Sequence, residues 1–188
     1  KGIEINLKGD RSLNKRSMKK LLELMSQFGA SFLPNNKFKF PLKMISTDYP
    51  IGIDYKAGVS AQLKSAVILA GLNSFGKTLI TEYEKSRDHT ENMLMSSKVV
   101  KIENRHKRII HVLGKKNLNP IDINVPGDPS SAAFFTALTL LNINSKLTIK
   151  NVGLNKTRTG FYKILKQCGA KIFFKNQKKI NNENRGDI

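Results

Sequence analysis

Apolar residues recur at helical spacing between Lys15 and Phe28, where Met18, Leu21, Leu22, Met25 and Phe28 share one face. Lys19, Lys20, Glu23 and Gln27 take the other face, and Gly29 follows as a stop. From Ala61 to Ala70 the chain is apolar nearly all round, which predicts a second, buried helix. A third helix is predicted from Asp88, because Asp88-His-Thr-Glu91 has the spacing of a capping box. A fourth is predicted from Asp128-Pro129, a capping carboxylate followed by proline at the first helical position, and the weakly polar run Ser130 to Ile143 reads as its buried body. The fifth runs from about Thr159 to Cys168 and ends at Gly169, with Cys168 expected in the core.

Short runs of strand character lie between the helices: Ile3–Leu7, Phe38–Ile45, Ile51–Tyr55, Thr78–Thr81, Val99–Glu103, Arg108–Val112, Ile121–Val125, Leu147–Lys150 and Lys171–Phe174. Asn104-Arg-His-Lys107 and Pro34-Asn-Asn36 read as hairpin turns. The order of elements recurs. SAQLKSAVILAGLNSFGKTLITEYEKSRDHTENML and SSAAFFTALTLLNINSKLTIKNVGLNKTRTGFYKIL each run from a Ser-led apolar helix through a strand and an Arg-bearing turn to a helix, and Ser60 and Ser130 stand 70 residues apart. LNKRSMKKLLELMSQFGASF also matches LNKTRTGFYKILKQCGAKIFF, with Gly-Ala pairs at 29 and 169, two such periods apart. The expected architecture is α/β (α+β), built from repeated βαβαββ units: the tail of one, one complete, and most of a third.

Charge narrows the partners. Lys and Arg number 33 against 14 Asp and Glu, a net charge of +19 that suits nucleic acid, acidic membrane or small anions. The basic residues are scattered singly or in pairs, seven are Arg, and no aromatic platform, zinc spacing or Arg-rich helix accompanies them. That weighs against nucleic acid and leaves small anions. The run 130–143 is shorter than the roughly 20 residues a bilayer span requires, so no membrane partner is expected. A single cysteine permits no internal disulfide, and no charged-then-apolar leader precedes the first strand-like run, so a cytoplasmic protein is expected.

The candidate chemistry sits at helix starts, where unpaired backbone N–H groups attract phosphate or carboxylate. Ser60 offers a hydroxyl, Ala61 lets an anion approach the backbone, and Gln62 both donates and accepts. Arg87 precedes the third helix, where its planar fork can hold phosphate or carboxylate, and Arg16 and Arg158 occupy corresponding turns. Taken singly, each Ser also reads as a cap and each Arg as a surface charge; it is their recurrence that suggests a shared anion cleft. His89, His106 and His111 lack metal-ligand spacing, and no Gly-rich phosphate loop is present, so neither metal nor cofactor is expected.

Five segments in order, GDRSLNKRSM, VSAQLKSAVILAGL, EKSRDHTENML, VPGDPSSAAFF and KNVGLNKTRTG, closely resemble the EPSP synthase family. SAQ and SRDHTE are the forms found in its glyphosate-tolerant bacterial type. The resemblance implies a two-lobed enolpyruvyl transferase fold, here incomplete, with 1–124 as most of one lobe and 125–188 as the first part of the second. It implies transfer of the enolpyruvyl group of phosphoenolpyruvate to the 5-hydroxyl of shikimate 3-phosphate, with release of phosphate and without a metal cofactor. By the same resemblance, Ser60, Ala61, Gln62, Ser86 and Arg87 bind shikimate 3-phosphate, Gln62 also lies near phosphoenolpyruvate, and Arg16 binds phosphoenolpyruvate. Ser17 stands where the family usually has proline. No segment matches the motifs that supply the general acid and base, so the chain is expected to be an internal fragment, silent alone and part of a monomer when full length. Two rivals remain: the sister enzyme with a UDP-sugar acceptor, whose mobile-loop cysteine has no match here, and a non-enzymatic nucleic-acid binder.

Overall fold

The computed structural model describes residues 2–188. Contacts divide the chain into two compact units, Lys1–Ser86 with Ser97–Leu118, and Arg87–Ser96 with Asn119–Ile188. The first unit opens with β1 (Glu4–Leu7), a 3-10 turn (Leu13–Lys15), α1 (Lys19–Gln27), β2 (Ser31–Leu33) and β3 (Leu42–Ile45). β3 lies between β1 and β2, antiparallel to both. β4 (Asp54–Ala57), α2 (Ala61–Asn73), β5 (Lys77–Glu82), β6 (Val100–Asn104) and β7 (Arg108–Leu113) follow, and the four strands form a sheet in the order β4-β5-β7-β6. β4 and β5 are parallel, as a strand–helix–strand crossover requires, and the other pairs are antiparallel.

The core of this unit lies where α2 meets β5 and β7. Val67 and Ile68 of the helix and Ile80, Ile110 and Val112 of the sheet are wholly buried, each contributing about 1.5–3 kcal/mol. Gly71 sets the closeness of that contact: a Cβ there would stand 2.9 Å from the Thr78 hydroxyl oxygen. The buried positions of α2 are Lys64, Val67, Ile68, Gly71 and Leu72, a single stripe, while Leu69 is half exposed. The expectation of burial all round is corrected, because among the described residues the sheet and α1 cover one side.

In the second unit, α3 (His89–Leu94), α4 (Pro129–Leu141), β8 (Val152–Gly153), α5 (Gly160–Gln167), β9 (Lys175–Ile180) and β10 (Glu183–Asp187) are arranged so that β10 lies between β8 and β9. Asp128 caps α4 by accepting from the Ser130 amide at 3.1 Å, with Pro129 at the start of the helix, as expected. The Tyr162 hydroxyl donates to the Pro129 carbonyl at 2.6 Å, tying α5 to the start of α4. The repeat is realised as topology. In the series β1-α1-β2-β3, β5-α3-β6-β7 and β8-α5-β9-β10, the last strand always lies between the other two. α1 and α5 both end at a glycine of positive φ, Gly29 at 97° and Gly169 at 92°.

Several local expectations are corrected. The first helix begins at Lys19 rather than Lys15, because Arg16 is extended (φ −80°, ψ 141°) and separates it from the 3-10 turn. The strand expected from Phe38 begins at Leu42, since Pro41 has no N–H to give to a ladder. Ile121–Val125 forms no strand, and Leu147–Lys150 makes one reciprocal pair, Ile149 with Ile188. Lys171–Phe174 precedes the true strand, the lysine-rich β9, whose polar face gives no alternation to read. α4 turns Phe134, Phe135, Leu138 and Leu141 outward and buries Pro129, Ala132 and Thr136. Cys168 is exposed at the end of α5, on a helix that buries Tyr162 alone.

Candidate functional site

Ala57 of β4 pairs with Glu82 of β5, so the turns that follow these parallel strands leave the same edge of the sheet. Such edges, at the carboxyl ends of parallel strands, are where α/β folds place ligands. The first turn delivers Ser60, the cap of α2, in an extended conformation with its hydroxyl accepting from the Leu63 amide at 3.4 Å. The Ala61 and Gln62 amides precede the first intrahelical bond, and Gln62 is exposed. Its side chain makes no hydrogen bond with the described residues. The second turn delivers Ser86, half buried.

A buried ion cluster joins the two turns. Lys64, one turn into α2, places Nζ 2.8 Å from Glu82 Oε1, and neither side chain has any exposure. The Ser86 amide donates to the same oxygen at 2.8 Å and the Ser86 hydroxyl at 2.7 Å. Arg108 of β7, directly across the ladder from Glu82, donates to Oε2. Burial pushes the Glu82 carboxyl up, but the bonds from Lys64, the Ser86 amide and hydroxyl, and Arg108 outweigh it and bring it down to about 2. Glu82 is therefore a fixed anion at neutral pH and no proton carrier. The Ser86 hydroxyl proton is committed to it, so as placed Ser86 presents its lone pairs to a ligand.

Ser60, Ala61, Gln62 and Ser86 are thus brought to one edge. Arg16 follows the 3-10 turn before α1, exposed and without a side-chain hydrogen bond to the described residues. Arg87 begins the second unit, also exposed and without a protein partner among the described residues. Arg158 is engaged otherwise: Nη2 donates to Asp128 at 2.6 Å and to the Ser130 hydroxyl at 2.8 Å.

The expected capping box at α3 does not form. Asp88 lacks the extended backbone of a cap (φ −119°, ψ 24°) and makes no cap hydrogen bond. Its carboxylate accepts from the buried Asn155 amide at 2.8 Å instead. His89 Nδ1 lies 2.8 Å from Glu183 Oε1, a structural contact within the second unit. Among the described residues, no group of three or more His, Cys, Asp or Glu side chains could hold a metal ion, and no helix is long and apolar enough to cross a membrane.

Lys64, Glu82 and Arg108 were not singled out from the sequence. Lys64 carried a signal, being the one charge on an otherwise apolar stripe. Glu82 and Arg108 carried none, since nothing in their surroundings shows that they face each other across a ladder.

Comparison with known proteins gives a consistent result. The family model described as EPSP synthase (3-phosphoshikimate 1-carboxyvinyltransferase) matches residues 1–187. The chain is 40% identical over 184 residues to the 3-phosphoshikimate 1-carboxyvinyltransferase of Novosphingobium aromaticivorans, covering 96% of this chain and 42% of that protein. It is 43% identical over 181 residues to the enzyme of that name from Bacillus subtilis. The solved EPSP synthase from Acinetobacter baumannii superimposes with a TM-score of 0.83 at 34% identity, over 98% of this chain and 42% of that one. The enolpyruvyl transferase NikO from Streptomyces tendae, at 16% identity and a TM-score of 0.64, shares the fold. The chain spans about 42% of the length of the curated relatives it matches.

Proposed function

The chain belongs to the EPSP synthase family, and on that premise we propose that it forms part of a protein that transfers the enolpyruvyl group of phosphoenolpyruvate to the 5-hydroxyl of shikimate 3-phosphate and releases phosphate. The observation that carries this reading is the sheet edge where the start of α2 and the Ser86 turn are held together by Lys64 and Glu82. Its amides without an intrahelical partner, the Ser60 hydroxyl and the unengaged Gln62 side chain suit a phosphate group. In this reading Ser60, Ala61 and Gln62 receive shikimate 3-phosphate, Ser86 and Arg87 approach it from the second turn, and Gln62 and Arg16 serve phosphoenolpyruvate. Residues 1–124 belong to one lobe and 125–188 to the other, within a monomeric cytoplasmic enzyme.

The transfer adds the acceptor oxygen to C2 of phosphoenolpyruvate while the hydroxyl proton is lost and a proton is gained at C3, giving a tetrahedral intermediate. Loss of a C3 proton and of phosphate then restores the double bond as the enol ether of the product. Charge builds on the phosphate as its bond breaks, and preorganised N–H groups and guanidinium forks stabilise it most at that point. Glu82, fully hydrogen-bonded and held near 2, contributes position rather than proton transfer. The test is phosphate release by the whole parent protein supplied with phosphoenolpyruvate and shikimate 3-phosphate. Release that requires both substrates supports the reading, and a folded parent that releases none defeats it.

Ser60 has two separable duties. Ser60→Ala is expected to lower stability by about 1 kcal/mol through loss of the cap. Ser60→Asp keeps a capping oxygen, and hence stability, yet sets a negative charge where the substrate phosphate is held. Calorimetric titration with shikimate 3-phosphate should show binding lost in the Asp variant; undiminished binding would place the phosphate elsewhere.

A further inference from the structure

The second unit holds a cavity of about 360 Å³, toward the small end of ligand sites. Its lining includes Arg185 together with the apolar side chains of Met93, Ile123 and Ile180. Arg185 is on β10, the middle strand of its sheet, directly opposite Gly153. The residue is 3% exposed. Its Nη1 donates to Asn124 Oδ1 at a long 3.4 Å, and its buried Nε meets no hydrogen-bond acceptor. Among the described residues it has no ion pair. A guanidinium has five N–H donors, and a buried cation is ordinarily paired.

The carboxylates nearby are already engaged. Asp128 accepts from the Ser130 amide and from Arg158. Glu183 accepts from Asn92 and Asn155 and lies against His89. Of the two arginines that line the cavity, Arg158 is held by Asp128 and Ser130, whereas Arg185 is the more buried and its Nε has no acceptor among the described residues. We propose that this cavity binds a small organic monocarboxylate, whose two oxygens meet the Arg185 guanidinium while a ring or branched apolar body rests on Met93, Ile123 and Ile180. The planar fork matches a carboxylate. A phosphate dianion fits less well, since its second charge would be desolvated against an apolar wall and beside Asp128 and Glu183. The site is independent of the transferase reading, because it uses none of the residues assigned to that chemistry.

The experiment is an NMR titration of the isotopically labelled chain with benzoate, beside benzamide, which keeps the ring and drops the charge, and inorganic phosphate. Benzoate should give saturable shifts of the Arg185 Nε–H and of the Gly127 and Gly153 amides, with affinity at least about tenfold above either comparison compound. Arg185→Met should weaken benzoate by a similar factor while the remaining spectrum is retained. Benzoate no tighter than benzamide in the unmodified chain overturns the proposal, and that comparison does not depend on whether the variant folds. Phosphate binding as tightly as benzoate, or benzoate shifts undiminished in a folded Arg185→Met chain, would overturn it as well.

Discussion

Glu82→Ala is expected to destabilise the chain by about 3–5 kcal/mol, the range for removing one partner of a buried ion pair. The substitution takes the carboxylate away from Lys64 Nζ at 2.8 Å, in a layer shared with wholly buried Val67 and Ile68, and removes an acceptor from the Ser86 amide and from Arg108. Joint replacement, Lys64→Met with Glu82→Leu, should recover the part of the loss that comes from Lys64, because an apolar pair of similar volume needs no desolvation, while the Ser86 amide and Arg108 still lack this acceptor. Urea denaturation of the three proteins checks this, and a cost below about 1 kcal/mol for Glu82→Ala would contradict it. The cluster also sets an acid limit. With its carboxyl at about 2 in the native state against an ordinary 4.5, the folded chain binds fewer protons than the unfolded one across that interval. The stabilisation, on the order of 3 kcal/mol, is complete above about pH 5 and disappears as pH falls toward 2. Glu82→Gln should flatten that acid dependence, which a denaturation series from pH 6 to pH 2 would reveal.

Arg87→Ala, made in the parent enzyme, is expected to lower kcat/KM for shikimate 3-phosphate by on the order of a hundred- to a thousandfold, as when a charge-paired guanidinium is truncated. Its exposed fork has no protein partner among the described residues, so alanine there should leave stability nearly unchanged. If Arg87 holds the acceptor equally in ground and transition states, the loss falls on KM and leaves kcat largely intact. Arg87→Lys retains charge without the planar fork and should lie between. Phosphate release measured against acceptor concentration separates these outcomes. A variant with unchanged KM and kcat would remove Arg87 from the substrate site.

Much of this architecture could be read in advance, and the misses share a cause. The helix ended by Gly29, the helix opened by Asp128-Pro129 and the hairpin at 104–107 depend on neighbours a few residues away, and all three form where expected. The strands missed, Ser31–Leu33, Val152–Gly153 and Glu183–Asp187, are short or polar and exist because a partner strand lies alongside. Gly186 shows the dependence plainly: a Cβ there would stand 2.7 Å from the Lys175 carbonyl oxygen and 2.9 Å from a Leu154 methyl. Asp88 had the spacing of a cap but lost that duty to Asn155, 67 residues away.

The same division separates the parts of the candidate site. The helix start at Ser60-Ala-Gln62, the repeat of about 70 residues and the family motifs are local or periodic, and so are carried by residue order. The tying of Ser86 to Lys64 through Glu82, the cross-strand reach of Arg108 and the burial of Arg185 opposite Gly153 are not. Each depends on two segments distant in the chain meeting at a separation of a few ångströms. Electrostatic and hydrogen-bond energies fall off over such lengths, so whether a charged residue becomes a solvated surface group or a buried anchor is decided when the chain packs.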